Sequence, residues 1–326
     1  MSKPPNTPPN TPKGKKMSGD QTKFDTGDRF GLAIFLILLA MFLFDVQAAM
    51  IKHMGDRYPV QQLAVFRNIF GILPNLVVLF LSRDWHRLGR PLWIRQWKLA
   101  LGRGLFVTMA QFFFYTSLMK LEFATAATLS FAGPLFVTTL SIPVLGHRVG
   151  PWQWAAVAVG FIGIMLVMQP GSDIFTIYAL LPVGAALGYA LTSISVRLID
   201  QSVPSATINL YSTAGAVFGS TVLMVTTSGF VPVELAVDWL WLVAMGTAGG
   251  LAVLVMIMSY RLTMPSNLAP FEYFGIPFSF VLGWYFFGET PFDALFPGAF
   301  FIVAGGLLIV WRERKKHTEN AEKTED

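Results

Sequence analysis

Ser266–Pro291 reads SNLAPFEYFGIPFSFVLGWYFFGETP, and its chemistry decides how the rest of the chain is read. The run is long and apolar enough to cross a bilayer, at about 20 residues per crossing. It nevertheless holds Glu272 well inside the apolar stretch, between Pro270 and Pro277. A charge at such depth costs on the order of 3 kcal/mol on insertion scales, so it faces a partner or a wet cavity. The prolines free backbone carbonyls, which is tolerated where neighbouring helices or water satisfy them. Glu272 is thus either a packing carboxylate at a bend or a functional acid, and intramembrane acids are functional candidates by default.

Composition extends this to the whole chain. Hydrophobic residues make up 54% and charged residues 13% of the 326. A soluble domain carries about 25% charged residues, so most of this chain belongs in lipid. Cysteine is absent, which excludes disulfides and thiolate metal sites without fixing a compartment. The net charge of +5 is spread in loops in the manner of membrane topology, not of a nucleic-acid surface.

Residues 1–28 are rich in Pro, Asn, Thr and Lys, with PPNT twice in succession, and read as a disordered cytoplasmic tail. Met17 is a second candidate start. The first apolar run, about Phe30–Ile51, is too long for a signal-peptide core and reads as a retained helix. Nine further runs follow at about Val60–Ser82, Lys98–Met119, Phe123–Leu145, Pro151–Met168, Ile174–Leu198, Ser205–Gly229, Trp239–Leu262, Asn267–Gly288 and Phe292–Trp311. Ten transmembrane helices put both termini on one side. Lys3, Lys13, Lys15, Lys16, Lys23 and Arg29 lie there, with Arg83, Arg87, Arg90, Arg95 and Lys98, with Arg148, Arg197 and Arg261, and with Arg312, Arg314, Lys315, Lys316 and Lys323. Only Lys52, Arg57 and Lys120 fall on the other side. Basic loops stay cytoplasmic, so both termini are expected inside, with a charged tail at 313–326.

The two halves, 29–170 and 171–312, echo each other. Pro59 corresponds to Pro204, Lys52 to Arg197, Ala126 to Ala269, Pro134 to Pro277 and Gly146 to Gly288. Five helices per half is an odd number, so the second half enters the membrane inverted. Inverted repeats with proline-interrupted helices in matching positions mark transporters, with the site near the midplane between repeats.

At these residues the chain resembles a known family. Leu121–Ser172, LEFATAATLSFAGPLFVTTLSIPVLGHRVGPWQWAAVAVGFIGIMLVMQPGS, resembles the first EamA repeat of the drug/metabolite transporter superfamily. Its marks are an alanine-rich entry, a P-L-F in the fourth helix, an L-G-E-type end and a Gly-rich fifth helix. Leu268–Pro291, with A-P-F-E-Y and F-G-E-x-P, resembles the second repeat, and Arg67 fits the arginine common in the second helix. The A-P-F-E-Y form is similar to a subgroup described as riboflavin, S-adenosylmethionine, acylcarnitine-like or metallophore transporters. One residue departs from the pattern: His147 stands where the first repeat usually has Glu, whereas the second keeps Glu289. That acid reads as a capping or interrepeat contact and not as a substrate ligand. The resemblance implies a bacterial cytoplasmic (inner) membrane protein whose cavity is lined mainly by the first four helices of each repeat.

Chemistry-bearing motifs are sparse. There is no H-E-x-x-H, G-x-S-x-G or P-loop, so no catalytic residues, metal ligands or cofactor are expected, and no ATP site drives the cycle. Polar side chains do share helix faces: Tyr189, Thr192 and Ser193 at i, i+3, i+4, and Gln111 with Tyr115. Tyr273 follows Glu272. Together they read as the wall of a site for a polar, ring-containing substrate, riboflavin or a similar metabolite. Amino acids, S-adenosylmethionine and drug-like metabolites are the alternatives, with a membrane-embedded enzyme or scaffold as the competing class. Proton or ion coupling and a homodimer both stay open. Ala156-x-x-x-Gly160 and Gly305-Gly306 mark helices suited to close packing, at the bundle edge or a dimer contact.

Four charges lie inside helices: Asp45, Arg67, Arg103 and Glu272. At about 1.5 Å rise per residue, the first two lie roughly 9–10 Å from the outer ends of their helices and the last two roughly 9 Å from the inner ends. Pairing recovers much of the expense of burying charge. Either both arginines snorkel to the headgroups, or Asp45 meets Arg67 and Glu272 meets Arg103 in at least one conformation, directly or through substrate or water; the second is the expectation, with Glu272–Arg103 as a gate.

Overall fold

Glycine and proline set where the long apolar runs break in the computed structural model, which describes residues 21–81, 83–87, 89, 92–145, 151–169, 176–200, 203–262, 268, 271–290, 295–308 and 311. Helix α1 spans Gln21–Met54. The second apolar run is split at Gly71 into α2, Val60–Phe70, and α3, Ile72–Leu81. A short α4, Arg83–Arg87, precedes α5, Trp97–Leu118. The fourth run is split as well, into α6, Phe123–Ser130, and α7, Gly133–Leu145. Pro134 has no N–H to give the carbonyl one turn back, so the helix restarts there. Then come α8, Pro151–Met168; α9, Leu180–Ser195; and α10, Ser205–Leu223, which ends in a π-turn, Met224–Ser228. Helix α11 is Ala236–Leu262, and α12 is Gly275–Phe287, with Pro277 in its first turn. The last, α13, is Gly298–Leu308.

Among the described residues there is no β-strand. Six stretches are long and apolar enough to cross a membrane: Phe30–Met54, Val60–Leu81, Phe123–Leu140, Ile177–Ser195, Thr207–Ser228 and Ala236–Tyr260. Large apolar side chains such as Phe35, Leu73, Phe80, Trp152, Phe218 and Trp284 point outward from these and neighbouring helices, as lipid-facing surfaces do. Helix is the regular secondary structure of the described residues, and their six apolar spans are those of a multi-pass membrane protein.

One boundary differs from the sequence reading. Helix α1 begins at Gln21, inside the segment expected to be disordered. Once the apolar run nucleates a helix, each added residue gains a hydrogen bond for little further ordering, and residues 21–28 contain no proline to stop it. His147 and the charged tail lie outside the described residues.

Helices group by contact into two bundles. Helix α1 packs along α11 and against α12, whereas α5 packs along α9 and α10, and α7 against α9. Helices α2 and α3 lie between α10 and α11, and α6 meets α12. Small residues bring helices together within a group, as where α5 meets α10. A Cβ on Gly104 would come within 2.4 Å of the backbone at Ala216 and Ser212. The faces expected to pack closely meet each other: a Cβ on Gly163 would lie 2.6 Å from Ile302 N, and one on Gly305 would lie 2.7 Å from Gly160 N. The small stripe on α8 is therefore filled by α13 of the same chain.

Candidate functional site

Between the bundles lies a cavity of about 440 Å³, walled by α1, α2, α3, α5, α6, α9, α10, α11 and the first residue of α12. That volume lies in the range of small-molecule sites, about 300–1,000 Å³. Six of the residues singled out from the sequence line it: Asp45, Arg67, Gln111, Tyr115, Tyr189 and Thr192. Helical spacing does this, since residues three, four and seven apart share a face.

The wall is rich in paired amides. Asn68 Nδ2 donates to Gln111 Oε1 at 2.9 Å, and Gln111 Nε2 donates back to Asn68 Oδ1 at 3.0 Å. Asn75 Nδ2 donates to Thr213 Oγ1 at 2.9 Å and accepts from Asn209 Nδ2 at 2.8 Å. Arg67 is held at both sides: Nε donates to Gln47 Oε1 at 3.3 Å and Nη1 to Asn68 Oδ1 at 3.1 Å. Gln47 Nε2 in turn reaches the Tyr115 hydroxyl at 3.5 Å. Phe44, Phe114, Phe131, Tyr115 and Tyr189 supply aromatic surface beside these groups. The cavity can thus take a flat ring between aromatic side chains while amides and a guanidinium orient polar substituents.

Gln47, Asn68, Asn75, Asn209, Ser212 and Thr213 were not picked out in the sequence. The signal was present: Asn68 and Asn75 are seven apart, and Asn209, Ser212 and Thr213 stand at i, i+3, i+4. The second is the spacing that marked α9, and seven is two turns along one helix face.

The remaining candidates are placed elsewhere. Arg103, 9% exposed, points within its own bundle, donating Nε to Thr192 O and Ser195 Oγ, both at 3.2 Å, and Nη1 to Ser212 Oγ at 2.8 Å. Glu272 accepts the Tyr260 hydroxyl at 2.6 Å in the other bundle. Tyr273 is buried, its ring 5.7 Å from that of Phe131 and its hydroxyl end seated against Gly306. Ser193 faces away, exposed. Glu272 and Arg103 therefore do not meet in this conformation, nor do Asp45 and Arg67. Arg67, Arg103 and Glu272 have each taken neutral partners, and Asp45 Oδ2 has none among the described residues.

Ion pairs form instead at the end of the bundles where α1 stops. Lys52 Nζ reaches Glu289 Oε1 at 2.5 Å and Leu121 O at 2.8 Å, and lies 5.1 Å from the Phe287 ring centroid. Glu289 Oε2 accepts the Phe123 N–H at 2.5 Å, at the start of α6, where free N–H groups favour an anion. Gly288 makes this possible: at φ 65° it turns the chain so that Glu289 N donates to Gly283 O. The contact thus ties α1 and the end of α12 to the α5–α6 link, one bundle to the other. Glu122 beside it has its carboxyl pushed up from the usual range, first by burial, then by Glu289, with Lys52 opposing. A second pair, Arg57–Asp238 at 2.8 Å, is joined by the Tyr58 hydroxyl on Asp238. Burial first, then the Asp238 acceptor, pushes the Tyr58 hydroxyl up. The Gln62 amide closes the same end by pairing both ways with the Val231 backbone at 2.8 Å.

Residues 31–169 match the EamA-like transporter family. The chain is 32% identical over 183 residues to a riboflavin transporter of Vibrio cholerae, covering 56% of this chain and 61% of that protein. It is 22% identical over 287 residues to an S-adenosylmethionine uptake transporter of Rickettsia bellii, covering 88% and 96%. It is 26% identical over 278 residues to a pseudopaline exporter of Pseudomonas aeruginosa, covering 85% and 93%. The match spans less than two thirds of the length of the riboflavin transporter. A solved structure aligned over 85% of this chain and 96% of its own gives a TM-score of 0.58 at 18% identity, a likeness of fold.

Proposed function

From a chain that carries an EamA-like domain of the drug/metabolite transporter superfamily, we propose a secondary transporter that moves a small polar, ring-containing metabolite across a bacterial inner membrane, with both termini cytoplasmic. The observation that carries this is the amide-lined, aromatic-walled cavity between two bundles, bridged at one end by Lys52, Glu289 and the α5–α6 link. The sequence expects ten spans in two inverted repeats, and the packing supports that reading. Exchanging the two sets of five spans maps α1–α11 onto α9–α5, α5–α10 onto α11–α2, and α7–α9 onto α12–α1. Pro134 and Pro277 both sit in the first turn after a helix restart.

The mechanism is alternating access, the bundles rocking about the cavity. Two charged contacts alternate in it. Lys52–Glu289 closes one end in this state, while Glu272 and Arg103, on opposite bundles, stand unpaired with each other. In the other state Glu272 and Arg103 engage and Lys52–Glu289 parts. Riboflavin is the favoured substrate, because aromatic faces take its ring system and amides its polar edge. Uptake of labelled riboflavin into proteoliposomes, lost in Glu272→Gln and Arg103→Gln and restored in part by the exchange Glu272→Arg with Arg103→Glu, tests the reading. Normal uptake by Arg103→Gln removes the gate, and uptake of other solutes with no response to flavins removes riboflavin. The near full-length likeness to S-adenosylmethionine transporters makes that compound the second substrate to test.

A further inference from the structure

Polar groups buried in a membrane protein find partners, because an unmade hydrogen bond is expensive there. Among the described residues of the cavity wall, one fully buried side-chain oxygen is without a partner. The amides of Asn68, Gln111, Asn75 and Asn209 are bonded to each other or to Thr213, and Arg67 is held by Gln47 and Asn68. Asp45, 8% exposed, lines the same cavity with a buried carboxylate oxygen, Oδ2, that no group of the described protein reaches. Among the described residues on the wall it is also the one acid.

Its surroundings leave it open. The cation that the sequence pairs with it, Arg67, is committed elsewhere. Across from it is a glycine: a Cβ on Gly275 would lie 3.5 Å from Asp45 Oδ2 and 2.6 Å from Phe131 Cζ. Gly275 thus keeps an approach to the carboxylate beside the Phe131 ring, and both residues line the cavity. An acceptor without a donor, next to an aromatic face and inside a small-molecule cavity, is arranged for a donor that arrives with the ligand.

We propose that Asp45 is the specificity-determining acceptor of this cavity and takes an N–H or ammonium group carried by the substrate next to a flat ring. The inference rests on the transporter reading above and deepens it by naming the substrate class. A ring whose polar edge ends only in acceptors binds weakly; an imide N–H or an amine binds well. The opposite side of the cavity, with Arg67 and the paired amides, serves the substrate's acceptors.

The test is a double-mutant cycle between protein and ligand in purified full-length protein. Riboflavin offers an imide N–H, and 3-methylriboflavin has it blocked; S-adenosylmethionine and its N6,N6-dimethyl analogue, which lacks the amine donor on the ring, form the second pair. Binding is measured to wild type, Asp45→Asn and Asp45→Ala, with thermal unfolding as a check that the variants fold. The expected result is a loss of at least tenfold in affinity for the donor-bearing ligand in Asp45→Ala, and less than twofold for its blocked partner. Gly275→Ala, which crowds the approach and leaves the carboxylate in place, is expected to weaken the donor-bearing ligand as well. Equal loss for both members of a pair overturns the proposal, because Asp45 is then structural. Unchanged binding with transport abolished overturns it too, because Asp45 then serves coupling and not recognition. If wild type binds neither pair, the ring-metabolite reading itself fails and this inference falls with it. If variants unfold, Asp45→Glu, which keeps the acceptor, is expected to retain discrimination within a pair, and its loss overturns the proposal.

Discussion

Replacing Glu289 with Gln should loosen one end of the molecule by a measurable amount. Gln keeps an oxygen for the Phe123 N–H but loses the charge that holds Lys52. Both side chains are 15% exposed, short of full burial. A hydrogen bond to a charged group contributes about 1.5–3 kcal/mol, and breaking a fully buried pair costs about 3–5 kcal/mol. At this exposure roughly 2–3 kcal/mol is at stake, a factor of about 30–150 at 1.4 kcal/mol per tenfold. Part is recovered, because Glu122 no longer faces Glu289. Lys52→Met leaves both acids without their shared cation and should shift the equilibrium further. The chain has no native cysteine, so Ser130→Cys, on the cavity wall, reports access cleanly. An impermeant maleimide added from the side of residues 55–59 should label it tens of times faster in the Glu289→Gln background. Labelling within twofold of the parent, in protein that still melts cooperatively, would refute the idea that this ion pair closes the end.

Other outcomes follow from the same geometry. Asn68→Leu should destabilise by about 1 kcal/mol, near the range of interhelical hydrogen bonds in membranes, and Asn68→Leu with Gln111→Leu should regain stability in thermal melts but not transport. Gly163→Val should weaken α8–α13 packing by about 1–3 kcal/mol through overpacking, since even its Cβ would meet backbone at 2.6 Å. Cysteine at Ser228 should react with an impermeant reagent from outside intact cells and cysteine at Arg95 should not; the reverse pattern would overturn the expected orientation.

What the sequence discloses and what it hides have separate physical causes. Apolar length reveals six of the ten expected spans among the described residues, because lipid leaves a helix few other options. Spacing along single helices reveals Gln111 with Tyr115 and Tyr189 with Thr192, since a helix face is a local property. Asn68, Asn75 and Asn209 obey the same rule and were within reach of it. Pairing is different. Asp45 with Arg67 and Glu272 with Arg103 were matched by depth, yet depth says nothing of rotation about the helix axis. Arg103 instead turns toward Ser195 and Ser212 in its own bundle. Glu289 is legible as a capping or interrepeat contact, and it does accept the N–H at the start of α6; Lys52 as its partner is not legible, since 237 residues separate them.

The paired amides also bear on the return half of the proposed transport cycle. Asn68 and Gln111 satisfy each other, as do Asn209, Asn75 and Thr213. If the chain is the carrier proposed above, it has few bare polar groups to hide when it reorients unloaded, and substrate must compete with these pairs to be held. Such a carrier runs empty as readily as full and supports net movement down a gradient. An obligatory exchanger needs the opposite arrangement, a vacant site too polar to cross. Preloading vesicles with unlabelled substrate should thus accelerate uptake by less than about twofold.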